Sequence, residues 1–364
     1  MYLKKENKGL LLIVFLLFSN LIIAQLTVRN DNYIFVNDEV VYVNDDVNLT
    51  NSASKFYLRN EAQLVQGTGT TGNSGIGELS AQQNGTVNEY AYNYWCSPIG
   101  NIDATNNANR PFRANLIDDA TGLITSTDAA FTNGYDGSSS PLTISSAWLW
   151  TFVASTDYAE WAYAGNNGDI APGLGFTMKG TNGSGENQLY DFRGKPNNGT
   201  ISNTVTTGEW TLVGNPYPSA MDALDFIHDT QNAANITGTL YYWEQDAGQS
   251  SHYVEDYVGG YAAYTIASDG TPTFVPATFS AYTENGNPVA LPVPENGVKT
   301  ARRYIPIGQG FMVEGVTNGL VYSKNSFRDY YKQSNADSFF LEQSKILKIF
   351  LDVLLKMKNL MNMA

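Results

Sequence analysis

Two segments of this chain, 170–180 and 305–315, share the pattern Gly-x-Gly-Phe-x-x-x-Gly, and each runs on into Thr-Asn-Gly. A pattern that recurs in this way indicates an internal duplication. Glycines at the ends of a short apolar strand permit a positive φ or a close approach of two backbones. The repeat therefore predicts two equivalent β-units, each built around a strand with glycine at both ends.

Two further pairs of segments support the duplication. The segments 94–104 and 209–223 both contain Trp, then a short apolar or small run and Pro, and both close in Asp-Ala. The aromatic segments 147–151 and 240–244 follow these corners in the same order. Because proline stops a central strand, we expect a strand to end and the chain to turn at each corner.

The chain is therefore predicted to be all-β, with antiparallel sandwich-like modules at 78–198 and 207–340. Before them, 25–77 holds four short apolar runs that end in Asn, Asp or Gly, which predicts stacked β-coils or a meander and then a loop. An insertion at 246–300 contains Gly-rich turn pairs typical of a hairpin. The one helix expected in the body of the chain covers 220–229.

The first 24 residues read as a secretory signal. Three lysines precede an apolar run at 10–18, and cleavage is expected after Ala24. A single membrane anchor is the alternative, but polar residues at 19 and 20 keep the run short of the roughly 20 apolar residues of a span. We therefore expect an exported chain at the outer-membrane surface or outside the cell, with export machinery as a partner and no membrane span after cleavage.

The net charge excludes one class of partner, and the cysteine count excludes internal disulfides. The formal net charge is −14 and only 15% of the residues are charged. Such an acidic excess repels phosphate backbones, so nucleic acid is not expected as a partner. Cys96 is the only cysteine, so no internal disulfide can form, and we interpret it as a small buried hydrophobe.

No catalytic signature is present. A Ser-His-Asp arrangement needs a histidine, and we assign His228 and His252, the only two, to loop or surface positions. A structural zinc site needs about four Cys or His ligands, and the chain has fewer. Calcium is the one structural ion left open, at Asp-rich loops such as 45–46 and 136–139, which lack the spaced-ligand pattern. We assign no catalytic residue, cofactor or metal ligand.

Two kinds of chemistry stay open. Glycoside hydrolysis needs only two paired carboxylates, and Glu160, Glu244 and Asp246 are candidates because they neighbour aromatic residues. Exposed aromatic rings can stack on the flat apolar faces of sugars, unless alternate members of each strand are core residues. The candidate ligand-binding residues are Trp148, Trp150, Trp161, Tyr242 and Trp243.

The segments Val-Gly-Asn-Pro-Tyr-Pro-Ser at 213–219 and Tyr-Trp-Cys-Ser-Pro at 94–98, with the Gly-x-Gly-Phe strands, resemble large secreted surface proteins of Bacteroidota. Those proteins are cargo of the type IX secretion system. The resemblance covers about 25–340 and implies export by a signal peptide and surface attachment through a separate C-terminal β-domain. Here 341–364 is instead a Lys/Leu/Met-rich amphipathic stretch, which we interpret as a truncated or frame-shifted end rather than a docking helix.

These observations predict a secreted, non-enzymatic cell-surface or adhesion-type protein, because duplicated modules multiply weak contacts. The alternative is a carbohydrate-binding protein that uses its aromatic strands, with glycans or surface polymers as partners. A second alternative is a glycoside hydrolase that depends on carboxylates.

Overall fold

The computed structural model describes residues 25–69, 71–185 and 187–339. Within these ranges strands dominate and every helix is short, so the all-β prediction is confirmed. No helix in the described ranges is long and apolar enough to cross a membrane. The predicted signal peptide and the Lys/Leu/Met-rich tail at 341–364 lie outside the described residues.

The described residues begin with a stack of strands in three parallel ladders. Its strands are Leu26–Val28 (β1), Tyr33–Asn37 (β2), Val40–Val43 (β3), Val47–Leu49 (β4), Lys55–Arg59 (β5), Gln63–Gln66 (β6), Ser74–Gly75 (β7) and Glu78–Thr86 (β8). Parallel pairing joins β1 to β4 and β7, β2 to β5 and β8, and β3 to β6. Successive turns of chain therefore lie strand upon strand, which confirms the predicted β-coil.

The β-coil shares one apolar core with the first module. Strand β8 pairs with β5 on one edge and, on the other, with Asn187–Pro196 (β19) in the module. A buried ion pair lies at this junction: the guanidinium of Arg59, 1% exposed, is 3.8 Å from the carboxylate of Asp191. The hydroxyl of Ser80 accepts a hydrogen bond from Arg59 and donates one to Asp191, so both charges are satisfied away from water.

The first module adds further strands between β8 and β19. They are Tyr92–Cys96 (β9), Ile99–Gly100 (β10), Ile117–Ala120 (β11), Ser126–Asp128 (β12), Ala130–Thr132 (β13), Ser138–Ser139 (β14), Leu142–Ser145 (β15), Trp150–Thr151 (β16), Ala162–Tyr163 (β17) and Gly175–Lys179 (β18). Antiparallel pairing joins β8 to β19 and β9 to β18. Apolar side chains between these layers form the core of the module.

The second module repeats this plan with its own core. Its strands are Ile201–Val205 (β20), Trp210–Gly214 (β21), Ala220–Asp222 (β22), Leu240–Gln245 (β23), Val258–Ile266 (β24), Pro272–Val275 (β25), Ser280–Tyr282 (β26), Pro288–Ala290 (β27), Tyr304–Ile305 (β28), Gly310–Glu314 (β29), Gly319–Ser323 (β30) and Arg328–Asp329 (β31). Pairs β20–β30 and β21–β29 correspond to β8–β19 and β9–β18. Strand β20 precedes residue 207, so its pairing extends the second module toward the N-terminus.

The insertion at 246–300 contains two hairpins. Strand β25 pairs with β24 and β27 pairs with β26, each antiparallel. Gly270 and Gly286 take positive φ values of 86° and 77° in the two turns, as the Asp-Gly and Asn-Gly pairs predict.

Over the described residues, helices are confined to short segments. Two α-helices, Ala223–His228 (α1) and Thr230–Asn235 (α2), follow the second corner, and the sequence analysis anticipated only the first. The carboxylates of Asp222 and Asp229 accept backbone hydrogen bonds at their N-termini. The 3₁₀ turns are Ala114–Leu116, Ser146–Trp148, Tyr158–Glu160, Val254–Asp256 and Asn325–Phe327.

The corner after β21 is held by the fully buried side chain of Asn215. Its amide nitrogen donates to three carbonyl oxygens, and its amide oxygen accepts from the backbone N–H of Tyr217. These bonds replace the backbone pairing that Pro216 and Pro218 remove from the segment. The Pro-rich corner is therefore a fixed turn, as the sequence predicts.

Strand registers show which residues of the two modules are equivalent. Gly175 pairs with Cys96, and Gly310 pairs with Gly214. Pro98 and Pro216, each two residues further along the chain, therefore also correspond. The tryptophans of the corners do not: Trp95 lies opposite Phe176, whereas Trp210 lies opposite Glu314. Their equivalence, suggested by the sequence match, is wrong because the glycine-ended strand and the proline turn set the register.

The shared glycines have equivalent conformations in the two modules. Gly173 and Gly308 have positive φ values of 80° and 82°. A Cβ on Gly310 would lie 2.7 Å from the carbonyl carbon of Tyr94, and one on Gly175 would lie 2.9 Å from the carbonyl oxygen of Val213. Since Tyr94 belongs to the first module and Val213 to the second, these glycines allow the β9–β18 and β21–β29 strand pairs to cross at close range.

Candidate functional site

A cavity of about 660 Å³ lies between the two modules, and aromatic rings form most of its wall. Five of the six tryptophans of the chain line it. Its aromatic lining is Tyr92, Tyr94, Trp148, Trp150, Phe152, Tyr158, Trp161, Trp210, Trp243, Tyr257, Tyr261 and Tyr282. Threonine and serine hydroxyls supply further polar groups, and none of the described lining residues is charged.

The duplication builds the floor of this cavity. Alternate residues of a strand point to the same side, and Tyr92, Tyr94 and Thr177 share one face of the β9–β18 pair. The equivalent face of the β21–β29 pair presents Trp210 and Met312. Matching faces of the two modules therefore meet across one space, and the hydroxyls of Tyr94 and Tyr261 join them at 2.7 Å.

The side walls come from one segment of each module. The first module contributes the segment 148–161, which carries Trp148, Trp150 and Trp161, and the second contributes the insertion at 246–300. The tip of the β26–β27 hairpin reaches the first module, because a Cβ on Gly286 would lie 2.4 Å from the ring of Tyr158. The insertion therefore closes one side of the cavity.

Four of the five predicted ligand-binding residues line the cavity: Trp148, Trp150, Trp161 and Trp243. Tyr242 does not. It is 3% exposed and packs in the core of the second module, with its ring 5.7 Å from that of Phe311. Strand alternation is the cause, since neighbours on β23 point to opposite faces. Its place in the candidate set is therefore corrected.

Sequence reasoning missed Trp210 and all six of the tyrosines that line the cavity. Tyr92 and Trp210 occupy equivalent positions opposite the ends of β18 and β29. Alignment of the two corners on their prolines instead of their tryptophans would have placed these two rings together. Tyr257, Tyr261 and Tyr282 lie in the insertion, where no counterpart in the first module indicated their position.

Lys179 lies beside the cavity, within a cage of three lining rings. It is 4% exposed, and its ammonium is 3.9 Å from the ring centroid of Trp148, 4.7 Å from that of Tyr92 and 4.9 Å from that of Tyr257. Register places it on the same strand face as Thr177 and Tyr92. Burial disfavours the charged amine and lowers the pKa of Lys179 to about 7, with Asp136 opposing the shift.

His252 lies in a loop, as predicted, but it takes part in this cluster. Its Nδ1 is 3.0 Å from Nζ of Lys179 and its Nε2 is 2.7 Å from a carboxylate oxygen of Asp136. Its ring stacks on Trp148 at 5.1 Å between centroids. His252 therefore connects the insertion of the second module to two residues of the first.

The carboxylate candidates have other roles. Glu160 accepts from the backbone N–H groups of residues 156 and 157, and buried Glu244 accepts from those of 298 and 299. Asp246 accepts from the N–H of residue 248. None of the three lines the cavity. Over the described ranges, no group of three or more His, Cys, Asp or Glu side chains is arranged to hold a metal ion.

The remaining sequence predictions concern single buried groups. Cys96 is fully buried, as predicted, and burial raises the pKa of its thiol. Asp46, one of the loop residues considered for calcium, accepts hydrogen bonds from the backbone of Thr71 and Gly72 and from the side chain of Asn198. These contacts give that carboxylate a structural role in the loop after the β-coil.

The fold and the cavity define a duplicated all-β protein with an aromatic site between its modules. The chain belongs to the family described as "Domain of unknown function (DUF8693)", whose model matches residues 128–359, more than half of the chain. No curated protein matches the sequence. No solved structure matches it either.

Proposed function

We propose that this chain is a secreted, non-enzymatic surface protein whose cavity between the modules binds carbohydrate. The observation that carries the proposal is the concentration of five tryptophans and six tyrosines around one space of about 660 Å³. Sites of this size bury most of a small ligand, and a few polar groups fix its orientation.

The composition of the wall favours sugars over other ligands. Indole and phenol faces are flat and apolar and can stack on the C–H faces of a sugar ring. The hydroxyls of Tyr282, Thr156, Thr278 and Ser280 can exchange hydrogen bonds with sugar hydroxyls. The described lining residues carry no charge, which favours a neutral glycan.

Export and surface location are part of the same proposal. They are supported by the signal-like pattern of residues 1–24 and by the resemblance to type IX secretion cargo. In this proposal the export machinery carries the chain to the cell surface, where glycans or surface polymers are its partners. The hydrolase alternative gains no support from the cavity, because its three candidate carboxylates bond elsewhere.

The test is a glycan-array screen with the mature chain from Gln25, followed by fluorescence titration of each binder. Because five of six tryptophans line the cavity, binding there should change the intrinsic emission. We expect Trp150→Ala and Trp243→Ala to lower affinity at least tenfold. Tyr33→Ala, an exposed aromatic on the β-coil, is the matched control and should bind as the wild type does.

Two outcomes contradict the proposal. One is the absence of any glycan bound above background by the wild type. The other is retention of full affinity in both tryptophan variants, which would move binding to another surface of the protein. Circular dichroism of each variant establishes that it is folded.

A further inference from the structure

Asp136, His252 and Lys179 form a continuous chain of polar contacts that runs from the surface to a buried amine, which packs against three rings of the cavity wall. The Asp136 side chain is 60% exposed, that of His252 is 14% exposed, and Lys179 is buried. If Nε2–H of His252 donates to Asp136, Nδ1 is free to accept a proton from the amine. The order is amine, base and orienting carboxylate, as in activated nucleophiles.

Lys195 provides an internal comparison. It is equally buried, at 4% exposed, but its amine donates to the carbonyl oxygens of Asn106 and Ala108. Carbonyl oxygens accept hydrogen bonds but cannot take the proton away. Lys179 has instead an imidazole and the hydroxyl of Tyr257, 2.8 Å away, as its partners. Of these two buried lysines, only Lys179 therefore has a base next to its amine.

We propose that Lys179 is a carbonyl-reactive amine and that ligands of the cavity carrying an aldehyde or ketone form an imine with it. This inference rests on the proposed carbohydrate function, because the open-chain form of a reducing sugar carries such a carbonyl. It narrows the ligand class to sugars with a free reducing end and to other small carbonyl compounds.

The step balances without any further reactant. The ammonium of Lys179 gives a proton to Nδ1 of His252, and the freed nitrogen lone pair attacks the carbonyl carbon. As the C–N bond forms, the attacking nitrogen passes a proton to the carbonyl oxygen, which gives a neutral carbinolamine. His252 then returns its proton to the carbinolamine hydroxyl, which leaves as water while the nitrogen lone pair forms the C=N bond. Ammonium and carbonyl therefore give a protonated imine and water. A buried lysine with a pKa of about 7 has a substantial share of free amine at neutral pH.

The experiment treats the mature wild-type chain with glycolaldehyde and cyanoborohydride at pH 7, and peptide mass spectrometry measures reductive alkylation at each lysine. We expect Lys179 to react at least tenfold faster than Lys55, whose ammonium contacts Glu78 at 2.7 Å, and faster than Lys195. His252→Asn should slow labelling at Lys179 selectively. Lys179→Arg should abolish the fast-reacting site.

Labelling of Lys179 no faster than that of Lys55 would overturn the inference, since the wild-type comparison requires no variant to fold. Equal rates in wild type and His252→Asn would remove the histidine from the step. A non-reducing glycan separates the two proposals: tryptophan emission that responds to it supports the carbohydrate site even where Lys179 fails to react. Absence of any such response, with fast labelling of Lys179, would leave the amine reactive and the carbohydrate proposal wrong.

Discussion

Replacing Lys179 by Met tests directly whether burial expels a proton from this amine. Methionine keeps the unbranched shape and removes the titrating group. The pKa of Lys179 falls from an ordinary 10.5 to about 7 in the folded protein. Between these values the unfolded chain holds a proton that the folded chain has released. The free energy of unfolding of the wild type must therefore rise with pH in this window, relative to the variant.

The magnitude follows from the two pKa values. One pKa unit corresponds to about 1.36 kcal/mol, so the whole shift amounts to roughly 5 kcal/mol. About half of that free energy falls between pH 7.5 and 9.5, where the difference between wild type and variant should grow by roughly 2–3 kcal/mol. Below pH 7 both states hold the proton, and the difference should be constant.

Urea unfolding followed by tryptophan emission at pH 7.5, 8.5 and 9.5 measures this difference. Lys195→Met is the matched control, because burial lowers the pKa of Lys195 only to about 8 and its pH-dependent gain should begin about one unit higher. A difference between wild type and Lys179→Met that stays constant from pH 7.5 to 9.5 would refute the reasoning. It would mean that the ring faces of the cage stabilise the ammonium as much as burial opposes it.

Three substitutions test the scaffold by urea unfolding. Gly310→Ala should lower the free energy of unfolding by about 1–3 kcal/mol, because its Cβ meets backbone of the first module, whereas Gly185→Ala, with its nearest atom at 3.8 Å, should be neutral. Asn215→Ala should cost roughly 3 kcal/mol through the carbonyl groups left unsatisfied at the corner. Arg59→Met should cost about 3–5 kcal/mol, because it removes a partner of buried Asp191. Changes below about 0.5 kcal/mol in these three would contradict the assigned contacts.

The sequence was most informative where backbone geometry dictates the residue. Glycine is strongly favoured where φ is near +80° or where backbones cross, so Gly173, Gly175, Gly308 and Gly310 could be recognised as equivalent points before the structure was known. The β-coil was predictable for a similar reason, since each short strand ends at a turn-forming residue.

The face of the strand to which each side chain points was harder to predict from the sequence. On β23, Trp243 reaches the cavity and its neighbour Tyr242 enters the core, but the sequence run Leu-Tyr-Tyr-Trp has no polar alternation to separate the two faces. Trp95 and Trp210 were matched by residue type, although pairing with β18 and β29 gives them different positions. The cavity itself joins segments far apart in the chain, and no local pattern encodes that proximity.

Equivalent strands of the two modules present different side chains to the cavity. Their glycines and the phenylalanine of the central strand are the same, since Phe176 corresponds to Phe311. On the cavity face, by contrast, Thr177 corresponds to Met312 and Lys179 to Glu314. Equivalent strand positions therefore place different side chains against the cavity. The buried amine occurs in only one of the two copies, so the site that surrounds it depends on the first module alone.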